Sequence, residues 1–595
     1  MLAIRAGVIA TAVLPLTAAN SRAALNERAP SRATETTAIA IHPADPVIDS
    51  LLARMSVREK AAQMIMAWIP GALEPGSREL RRVERLVTAL RVGGLIVGKG
   101  DRQTTARAIR TLQSRSRVPL LVASDLEWGA GMRLLGATLL PPAMAVTAAG
   151  DTTLAYEHGR VTAAEARASG FHMTLSPVLD VNSNPRNPII NTRSFGEDPH
   201  AVARFGTAVI RGLQDGGLLA VGKHFPGHGD THDDSHVALP TITAARARLD
   251  SVELVPFRAA IYAGITGIMV GHLSAPALGT GRLPASLSGA VATTLLREQF
   301  GFEGLVMTDA LNMAGVARGR SAAEIARAAV KAGADILLQP TNPEAAVEAI
   351  VDAVSSGAIT SARLDASVRR ILRAKLRAGI IGAGRTPSRE AADAAAVPSA
   401  SAVADSIAAR SITLLRDRAN LLPVRGTRPI LSLTYASGVG VPGGASEAFD
   451  ASLRSAGLAV RRLTLPARGA TAVTDSLLRA WDGMTTPPLV IASVYTLPIP
   501  GQGSAGIPTA VAESIERIAR RTSLVYIALG SPYVTARAPS ASTVVIAWTG
   551  IPAAQRAAAR VVLGTQAATG RLPISLPPDY TLGHGLVPPE PQRDR

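Results

Sequence analysis

The chain has 595 residues, of which 47% are hydrophobic and none is cysteine. This length and composition suit two or three domains with large cores, and they exclude a disulfide framework and a lipid-anchored cysteine. The formal net charge is +17 and aromatic residues make up only 3%. Because the arginines are scattered and form no basic run interleaved with aromatics, we expect no nucleic-acid partner.

Residues 1–24 have the composition of an export signal. Arg5 supplies a positive start, residues 6–19 form an apolar run, and Ser21-Arg22-Ala23 is a small-x-small cleavage site. The run is too short to span a bilayer comfortably, and no later stretch of about 20 residues is uninterruptedly apolar. We predict an exported protein, periplasmic or extracellular, whose mature form has no integral membrane segment. The alternative is an ordinary N-terminal helix.

Residues 48–381 alternate short apolar strands with amphipathic helical stretches. The eight strand candidates are 64–69, 94–97, 120–125, 173–180, 219–224, 267–273, 305–309 and 335–339. Continuous apolar runs are typical of parallel strands covered on both faces, so this count predicts a TIM (β/α)₈ barrel. Polar residues follow the strands at the rim where this fold builds active sites. They are Asp125, Asp180, His224, His272 and Asp309.

The second half of the chain predicts a separate α/β sandwich domain. Residues 382–402 are rich in Ala, Ser, Pro and Arg and are typical of a linker, and residues 403–588 follow as the C-terminal domain. Its strand candidates are 429–434, 489–494, 524–528 and 543–548, with helical stretches such as 510–521 between them. We find no nucleotide-binding glycine fingerprint and no nucleophile elbow there, which favours a structural or accessory role.

The segment 223–236 concentrates one lysine, four histidines and three aspartates within fourteen residues. Pro226 and its neighbouring glycines disfavour regular structure, which predicts a loop at a solvent-reachable site. Asp234 and His236 lie two residues apart, and in an extended segment their side chains would point the same way. A carboxylate paired with an imidazole is an acid/base device. A divalent-metal site and a merely solvated loop are the alternatives.

Three further segments lie at the same rim. Residues 124–129 contain Asp125 and are followed by Arg133, residues 187–199 contain Arg193, and residues 307–313 contain Asp309. A single Asp after a strand is often a helix N-cap, and Asp309 precedes a helical stretch, so that alternative stays open.

Together these motifs resemble glycoside hydrolase family 3, in its exo-β-N-acetylglucosaminidase branch. The resemblance rests on the Lys-His-Phe-Pro-Gly-His-Gly run with its later Asp-Ser-His, on the arginine-bearing segment and on the Thr-Asp segment, in this order. It covers the barrel and continues through residues 411–415 and 583–586, which are similar to the family's C-terminal domain.

The resemblance implies a role for each matching residue. Asp309 would be the nucleophile, and His236 with its partner Asp234 would be the general acid and then the general base. The substrate-binding residues would be Asp125, Arg133, Arg193, Lys223 and His224. Lys223 and Arg193 would also keep Asp309 ionised. Both chemical steps run without a metal or a cofactor, so we expect neither.

The segment after the third strand departs from the family pattern. It carries Trp128 and Ala130 where the family has a glycine and an arginine, and Trp128 could either stack on a sugar ring or fill the wall of the pocket.

The leading hypothesis is an exported retaining β-N-acetylhexosaminidase that removes terminal N-acetylglucosamine from peptidoglycan fragments or chitooligosaccharides. The alternatives are a β-glucosidase-like member of the family, a catalytically silent sugar-binding protein, and a metal-dependent hydrolase.

Overall fold

The computed structural model describes residues 45–74, 76–382, 399–426, 428–437, 441, 443–496 and 506–587. The predicted export signal lies outside these ranges, as does most of the predicted linker. The last residues of that predicted linker are helical, because the first helix of the C-terminal part begins at Ala400.

Eight parallel strands form the predicted barrel. They are β1 (Ile65–Ile69), β2 (Gly94–Val97), β3 (Leu121–Ser124), β4 (Met173–Thr174), β5 (Leu219–Phe225), β6 (Gly267–Val270), β7 (Leu305–Thr308) and β8 (Leu337–Leu338). Each pairs with the next along the chain, β8 also pairs with β1, and a bridge between Met307 and Ile336 links β7 to β8. The (β/α)₈ prediction is therefore confirmed, with strands that are buried almost throughout.

Two of the strands are much shorter than predicted. β4 ends at Thr174, three residues before Pro177, which has no N–H to donate to a ladder. β8 contains only Leu337 and Leu338. The residues beyond these strands were predicted as strand because they are apolar, but they are buried loop.

Helices surround the barrel. They are Pro46–Ala53, Val57–Gln63, Arg78–Arg85, Arg102–Arg115, Ala143–Ala148, Thr152–Ala168, Pro199–Asp215, Arg246–Ser251, Val255–Tyr262, Ala314–Ala317, Ala322–Ala332, Pro343–Ser355 and Ser361–Arg377, with π-helical turns at Leu86–Leu90 and Ala290–Gln299. Several begin with a side-chain cap, such as the capping boxes of Ser56 with Glu59 and Ser321 with Glu324, which satisfy first-turn N–H groups.

The C-terminal part contains a six-stranded sheet between helices. Its strands are β9 (Thr413–Asp417), β10 (Ile430–Ala436), β11 (Val460–Thr464), β12 (Leu489–Thr496), β13 (Leu524–Gly530) and β14 (Thr543–Ile546), in the order β9-β14-β13-β12-β10-β11. Its helices are Ala400–Ser411, Glu447–Ser455, Ala470–Ala480, Thr509–Arg521 and Pro552–Val562. Among the described strands of this sheet, the β9–β14 pair is antiparallel and the other pairs are parallel, so the predicted largely parallel α/β sandwich is confirmed.

Our sequence analysis missed two strands, and both lie at edges of this sheet. The first, β9, begins the C-terminal sheet directly after a helix. The second, β11, carries Arg461 and Arg462 in its centre, and its side chains are partly or fully exposed. An edge strand of this kind has no continuous apolar run to identify it.

The C-terminal part packs directly on the barrel. Helix Ala400–Ser411 lies against helices Ala143–Ala148 and Thr152–Ala168. Glu197 accepts hydrogen bonds from the N–H (2.8 Å) and hydroxyl (2.6 Å) of Ser575. Within the described ranges, no helix combines the length and the apolar character needed to cross a membrane.

Candidate active site

The segment that follows β5 folds into a tight turn around Asp234. One carboxylate oxygen of Asp234 accepts the backbone N–H of His236 at 2.9 Å and lies 2.7 Å from its Nδ1. The backbone carbonyl of Asp234 also accepts the N–H groups of Val237 and Ala238. The predicted pair is therefore formed, but by a turn and not by an extended segment. His236 Nδ1–H faces the buried carboxylate, and the imidazole itself is 38% exposed.

The segment differs from the predicted solvent-reachable loop in where it begins and in how it packs. Lys223 and His224 belong to β5, so the loop starts after Phe225. His228 is buried with Nδ1 2.7 Å from the Thr231 hydroxyl and Nε2 3.1 Å from the Ser235 hydroxyl. Burial lowers the pKa of His228 to about 4, so its neutral ring serves as a brace beneath the Asp234–His236 turn.

A second brace comes from the loop after β4. Asn187 donates to the carbonyl of His228 at 2.9 Å, while its side-chain oxygen accepts the N–H of Ile190 at 2.8 Å. Asn184 donates to the carbonyl of Thr231 at 3.0 Å. These amides join the arginine-bearing segment to the histidine-bearing segment, and both therefore hold fixed positions on the rim.

Asp309 lies one residue beyond β7 in a buried position. Its carboxylate accepts the N–H of Ala310 at 2.8 Å. Burial by itself would raise the pKa of Asp309, but the neighbouring His224 and His272, the Ala310 N–H and His236 outweigh it and lower the pKa to about 2. The next helix begins at Ala314 with Met313 at its N-cap, so the N-cap alternative for Asp309 is wrong.

His272, at the end of β6, holds the backbone beside Asp309. Its Nε2 lies 3.0 Å from the carbonyl of Ala310, and its Nδ1 lies 2.7 Å from the Ser286 hydroxyl. Because a carbonyl only accepts, Nε2 carries the proton and Nδ1 accepts from the serine. Burial lowers the pKa of His272.

Lys223 lies between two carboxylates in a buried ion-pair network. Its ammonium lies 2.9 Å from Asp125 and 2.7 Å from Glu127. Glu127 also accepts two hydrogen bonds of 2.9 Å from Arg193, and Asp125 accepts one of 3.0 Å from Arg133. Burial would raise the pKa of Glu127, but Arg193 and Lys223 hold it well below its usual range. These five side chains are referred to below as the ion-pair network.

His224 is oriented by Asp180. The Asp180 carboxylate lies 2.7 Å from His224 Nδ1 and accepts the backbone N–H groups of His224 (3.1 Å) and His228 (2.7 Å). Burial would raise the pKa of Asp180, but the adjacent His224 imidazole and these hydrogen bonds lower it. The arrangement turns Nε2 of His224 away from the carboxylate.

The structure thus places all eight predicted site residues at the carboxyl rim of the barrel. It also corrects one detail: Lys223 and Arg193 pair with Asp125 and Glu127, and the groups that lower the pKa of Asp309 are nearby histidines and the Ala310 N–H. Sequence analysis missed Glu127 as a site residue, although its position two residues after Asp125 was the available indication. It also missed the bracing roles of Asp180, His228 and His272.

The four imidazoles of the segment are directed to different partners. His224 pairs with Asp180, His228 with Thr231 and Ser235, His236 with Asp234, and His232 lies 3.2 Å from the amide of Asn184. Among the described residues, no group of three or more His, Asp or Glu side chains is arranged to hold a metal ion.

Residues 56–374 match the model of the glycosyl hydrolase family 3 N-terminal domain. The chain is 35% identical over 418 residues to a β-N-acetylglucosaminidase/β-glucosidase of Cellulomonas fimi, covering 68% of this chain and 72% of that protein. Its fold is similar to that of a family 3 β-N-acetylglucosaminidase from Paenibacillus sp. str. FPU-7, with 33% identity, a TM-score of 0.76 and coverage of 88% and 99% of the two chains.

A β-glucoside phosphorylase is also similar in structure, with 26% identity, a TM-score of 0.79 and coverage of 89% of this chain and 96% of that chain. The family model covers more than half of this chain, and the matched residues contain all eight strands of the barrel. The chain therefore belongs to glycoside hydrolase family 3, and it is a glycosidase.

Proposed function

We propose that the protein is a retaining β-N-acetylglucosaminidase in which Asp309 is the nucleophile and His236, paired with Asp234, is the general acid and base. The observation that carries this proposal is that an ionised, buried Asp309 lies within electrostatic reach of the Asp234–His236 pair. One group can then attack a carbon while the other transfers a proton, which is the division of labour that glycoside hydrolysis requires.

The first step breaks the glycosidic bond. A carboxylate oxygen of Asp309 forms a bond to the anomeric carbon, while protonated His236 gives its proton to the departing oxygen. Asp234 stabilises the imidazolium before transfer and orients the ring through Nδ1–H. The products are the free alcohol and a glycosyl ester of Asp309, with His236 left neutral.

The second step releases the sugar. Neutral His236 removes a proton from water, the water oxygen bonds to the anomeric carbon, and Asp309 leaves as a carboxylate. Two displacements at the same carbon retain its configuration. The cycle returns each group to its starting protonation state and consumes one water.

The ion-pair network and His224 are proposed to hold the sugar hydroxyls. Asp125 and Arg133 are 25% and 33% exposed, so both offer polar atoms to a ligand, whereas Lys223 and Glu127 are almost fully buried. The buried pair fixes the outer pair in position, and a hydroxyl meets preorganised donors and acceptors without a further ordering cost.

For the natural substrate, we propose terminal β-linked N-acetylglucosamine on peptidoglycan fragments or chitooligosaccharides, cleaved after export. The similar enzymes from Cellulomonas fimi and Paenibacillus are named for N-acetylglucosaminides, and residues 1–24 have the composition of an export signal. A β-glucosidase-like activity is the alternative, because the name of the Cellulomonas fimi relative includes it.

Phosphate is a candidate acceptor in place of water. A neutral imidazole does not repel a phosphate anion as a carboxylate base would, and a β-glucoside phosphorylase is similar to this chain. Attack by phosphate on the Asp309 ester would yield a sugar 1-phosphate, so the products of the reaction with and without inorganic phosphate distinguish the two acceptors.

The proposal is tested with aryl β-N-acetylglucosaminide and aryl β-glucoside, each with and without a metal chelator. We expect a higher kcat/KM for the N-acetylglucosaminide and no effect of the chelator. Preference for the glucoside would favour the alternative activity, and no turnover of either would favour a silent sugar-binding protein. Loss of activity on chelation, with recovery on adding a metal, would contradict the mechanism.

A further inference from the structure

Trp68 is an exposed aromatic residue in the penultimate position of β1. It is 45% exposed, although every other residue of that strand is buried. Trp128, which our sequence analysis singled out, is only partly exposed, and its Nε1–H is buried with no hydrogen-bond partner in the part of the chain that the structure describes. Of the two tryptophans, Trp68 therefore offers the larger exposed surface to a ligand.

The sheet register places the indole on the same face as Asp125. Trp68 pairs with Ile96 of β2, and Ile96 pairs with Ala123 of β3. Paired residues of neighbouring parallel strands share a face, and side chains on that face recur every second residue. Asp125 follows Ala123 by two residues, and the ladder continues past Ser124, whose carbonyl accepts an N–H from the next strand.

The strand register from β1 through β8 to β7 places Asp309 on this same face. Met66, two residues before Trp68, pairs with Leu338 of β8, and Ile336 pairs with Met307 of β7. Asp309 is the next residue on the face of Met307, and its N–H still donates to β6. The indole, the proposed nucleophile and the ion-pair network therefore share the inner face of the barrel at its carboxyl end.

Gly98, just beyond β2, makes room for the indole. A Cβ at this position would lie 3.2 Å from Cζ2 and 3.4 Å from Nε1 of Trp68, which is close enough to displace the ring. The absence of a side chain at Gly98 therefore leaves space for the edge of the indole beside the end of β2.

The strand order sets the position of Trp68 relative to a bound sugar. Asp125 follows β3 and Asp309 follows β7, so a ring that reaches from one to the other crosses the mouth. Lys223 and His224, on β5, face one edge of that ring. β1 lies on the opposite side of the barrel from β5, which brings Trp68 to the other edge.

We propose that Trp68 is the apolar wall of the sugar pocket, packing on the C–H groups of the terminal sugar at the edge opposite Lys223 and His224. The inference rests on the proposed function, because the ring must span Asp125 and Asp309. An indole is suited to this position, since its face covers C–H groups while its Nε1–H can donate to a hydroxyl. Trp68 thus determines specificity and takes no part in the chemical steps.

The test compares Trp68→Ala and Trp68→Phe with Tyr262→Ala. Tyr262 is 95% exposed at the end of the outer helix Val255–Tyr262, so it is a matched exposed aromatic far from the rim. With the aryl glycoside that the wild type cleaves best, we expect Trp68→Ala to raise KM by about tenfold with a smaller effect on kcat. Trp68→Phe should retain most of the affinity, and Tyr262→Ala should match the wild type.

A fluorescence titration with free N-acetylglucosamine gives a second readout. Sugar binding should change the tryptophan emission of the wild type and of Tyr262→Ala, and Trp68→Phe should lose most of that change. A wild-type KM for Trp68→Ala would overturn the inference. So would an emission change that is absent in the wild type, or one that persists in Trp68→Phe. If the wild type cleaves neither aryl glycoside, the proposed function fails. The fluorescence titration then still tests whether Trp68 contacts the sugar. If Trp68→Ala does not fold, the emission change of Trp68→Phe decides the point.

Discussion

Asp309 combines burial with a depressed pKa, because surrounding histidines and one N–H group stabilise its negative charge. We predict that Asp309→Asn folds normally and loses nearly all turnover, since an amide cannot form the glycosyl ester. The expected loss in kcat is on the order of 10³-fold or more. Retention of more than about one per cent of activity in steady-state assays would reject Asp309 as the nucleophile.

The same carboxylate should make stability depend on acid pH. The folded pKa of Asp309 is about 2, below the unfolded value of about 4, so its contribution is present above pH 4 and is lost as the pH falls through 2. We expect the free energy of unfolding of the wild type to fall relative to Asp309→Asn by roughly 2 kcal/mol between pH 5 and pH 2. Urea unfolding at several pH values measures this difference, and parallel curves would contradict it.

The role of His236 can be tested by comparing substrates with poor and good leaving groups. Protonation is worth about 10²–10⁴-fold when the departing oxygen is a poor leaving group and little when it is an acidic phenol. We predict that His236→Ala slows cleavage of a disaccharide far more than cleavage of an aryl glycoside, and that Asp234→Asn shows the same pattern more mildly.

The control for this comparison is His200→Ala, because His200 is exposed in the first turn of the outer helix Pro199–Asp215. It should cleave both substrates at wild-type rates. Equal losses on the two substrates for His236→Ala, together with a lower melting temperature, would identify His236 as a structural residue.

At the scale of single residues, the motifs predicted which side chains meet but not how they are held. The Asp234–His236 pair followed from spacing alone. The pairing of Lys223 with Glu127 did not, because Lys223 lies on β5 and Glu127 follows β3, and only the barrel brings them together. Our sequence analysis attributed the ionised state of Asp309 to Lys223 and Arg193. The structure places histidines beside Asp309 instead, which only the barrel register could have shown.

Among the elements, the short helix after β7 supports the acid/base turn. Gly315 donates its N–H to the carbonyl of Ser235 at 3.1 Å, and a Cβ there would lie 2.9 Å from that carbonyl oxygen and 3.0 Å from the carbonyl of Ala238. We predict that Gly315→Ala displaces His236 relative to Asp309 and lowers kcat on a disaccharide by about tenfold or more.

The matched control is Gly289→Ala. Gly289 has ordinary helical backbone angles, and a Cβ there meets no atom within 4 Å. Its kcat on the disaccharide should equal that of the wild type. If Gly315→Ala also keeps wild-type kcat, the contact with Ser235 does not position the acid/base turn.

The strands of the barrel were predictable because each is an apolar run buried on both faces, which is a local property of the sequence. β4 and β8 were predicted too long, since buried loop residues such as Leu175 and Leu179 are as apolar as strand residues. The edge strand β11 was missed because Arg461 and Arg462 interrupt any apolar run there. Burial on both faces, and not strand propensity, therefore decided which strands could be predicted from the local sequence.

At the scale of the whole molecule, the C-terminal domain supports the rim of the barrel. Asn182 donates to the Tyr533 hydroxyl at 2.6 Å, and Asn191, in the turn that carries Arg193, donates to the Ser531 hydroxyl at 3.0 Å. No local pattern could have predicted these contacts, because the partners are more than 300 residues apart.

We predict that Tyr533→Phe raises KM by about threefold to tenfold, because it removes the acceptor of the Asn182 NH2 group and loosens the Arg193 turn. Tyr580→Phe, a tyrosine of the same domain that stacks beside His584, serves as a control for general destabilisation. If KM rises for Tyr533→Phe and not for Tyr580→Phe, the C-terminal domain does stabilise the rim. Wild-type KM values in both variants would contradict this role.

The central claim, a covalent intermediate on Asp309, is tested most directly by trapping it. The protein is incubated with a fluorinated aryl N-acetylglucosaminide that forms the ester faster than it hydrolyses, and the intact mass and a protease digest are measured. The account predicts one added sugar per chain on the peptide that contains Asp309, and none on Asp309→Asn. An adduct on another residue, or rapid turnover without any adduct in the wild type, would contradict it.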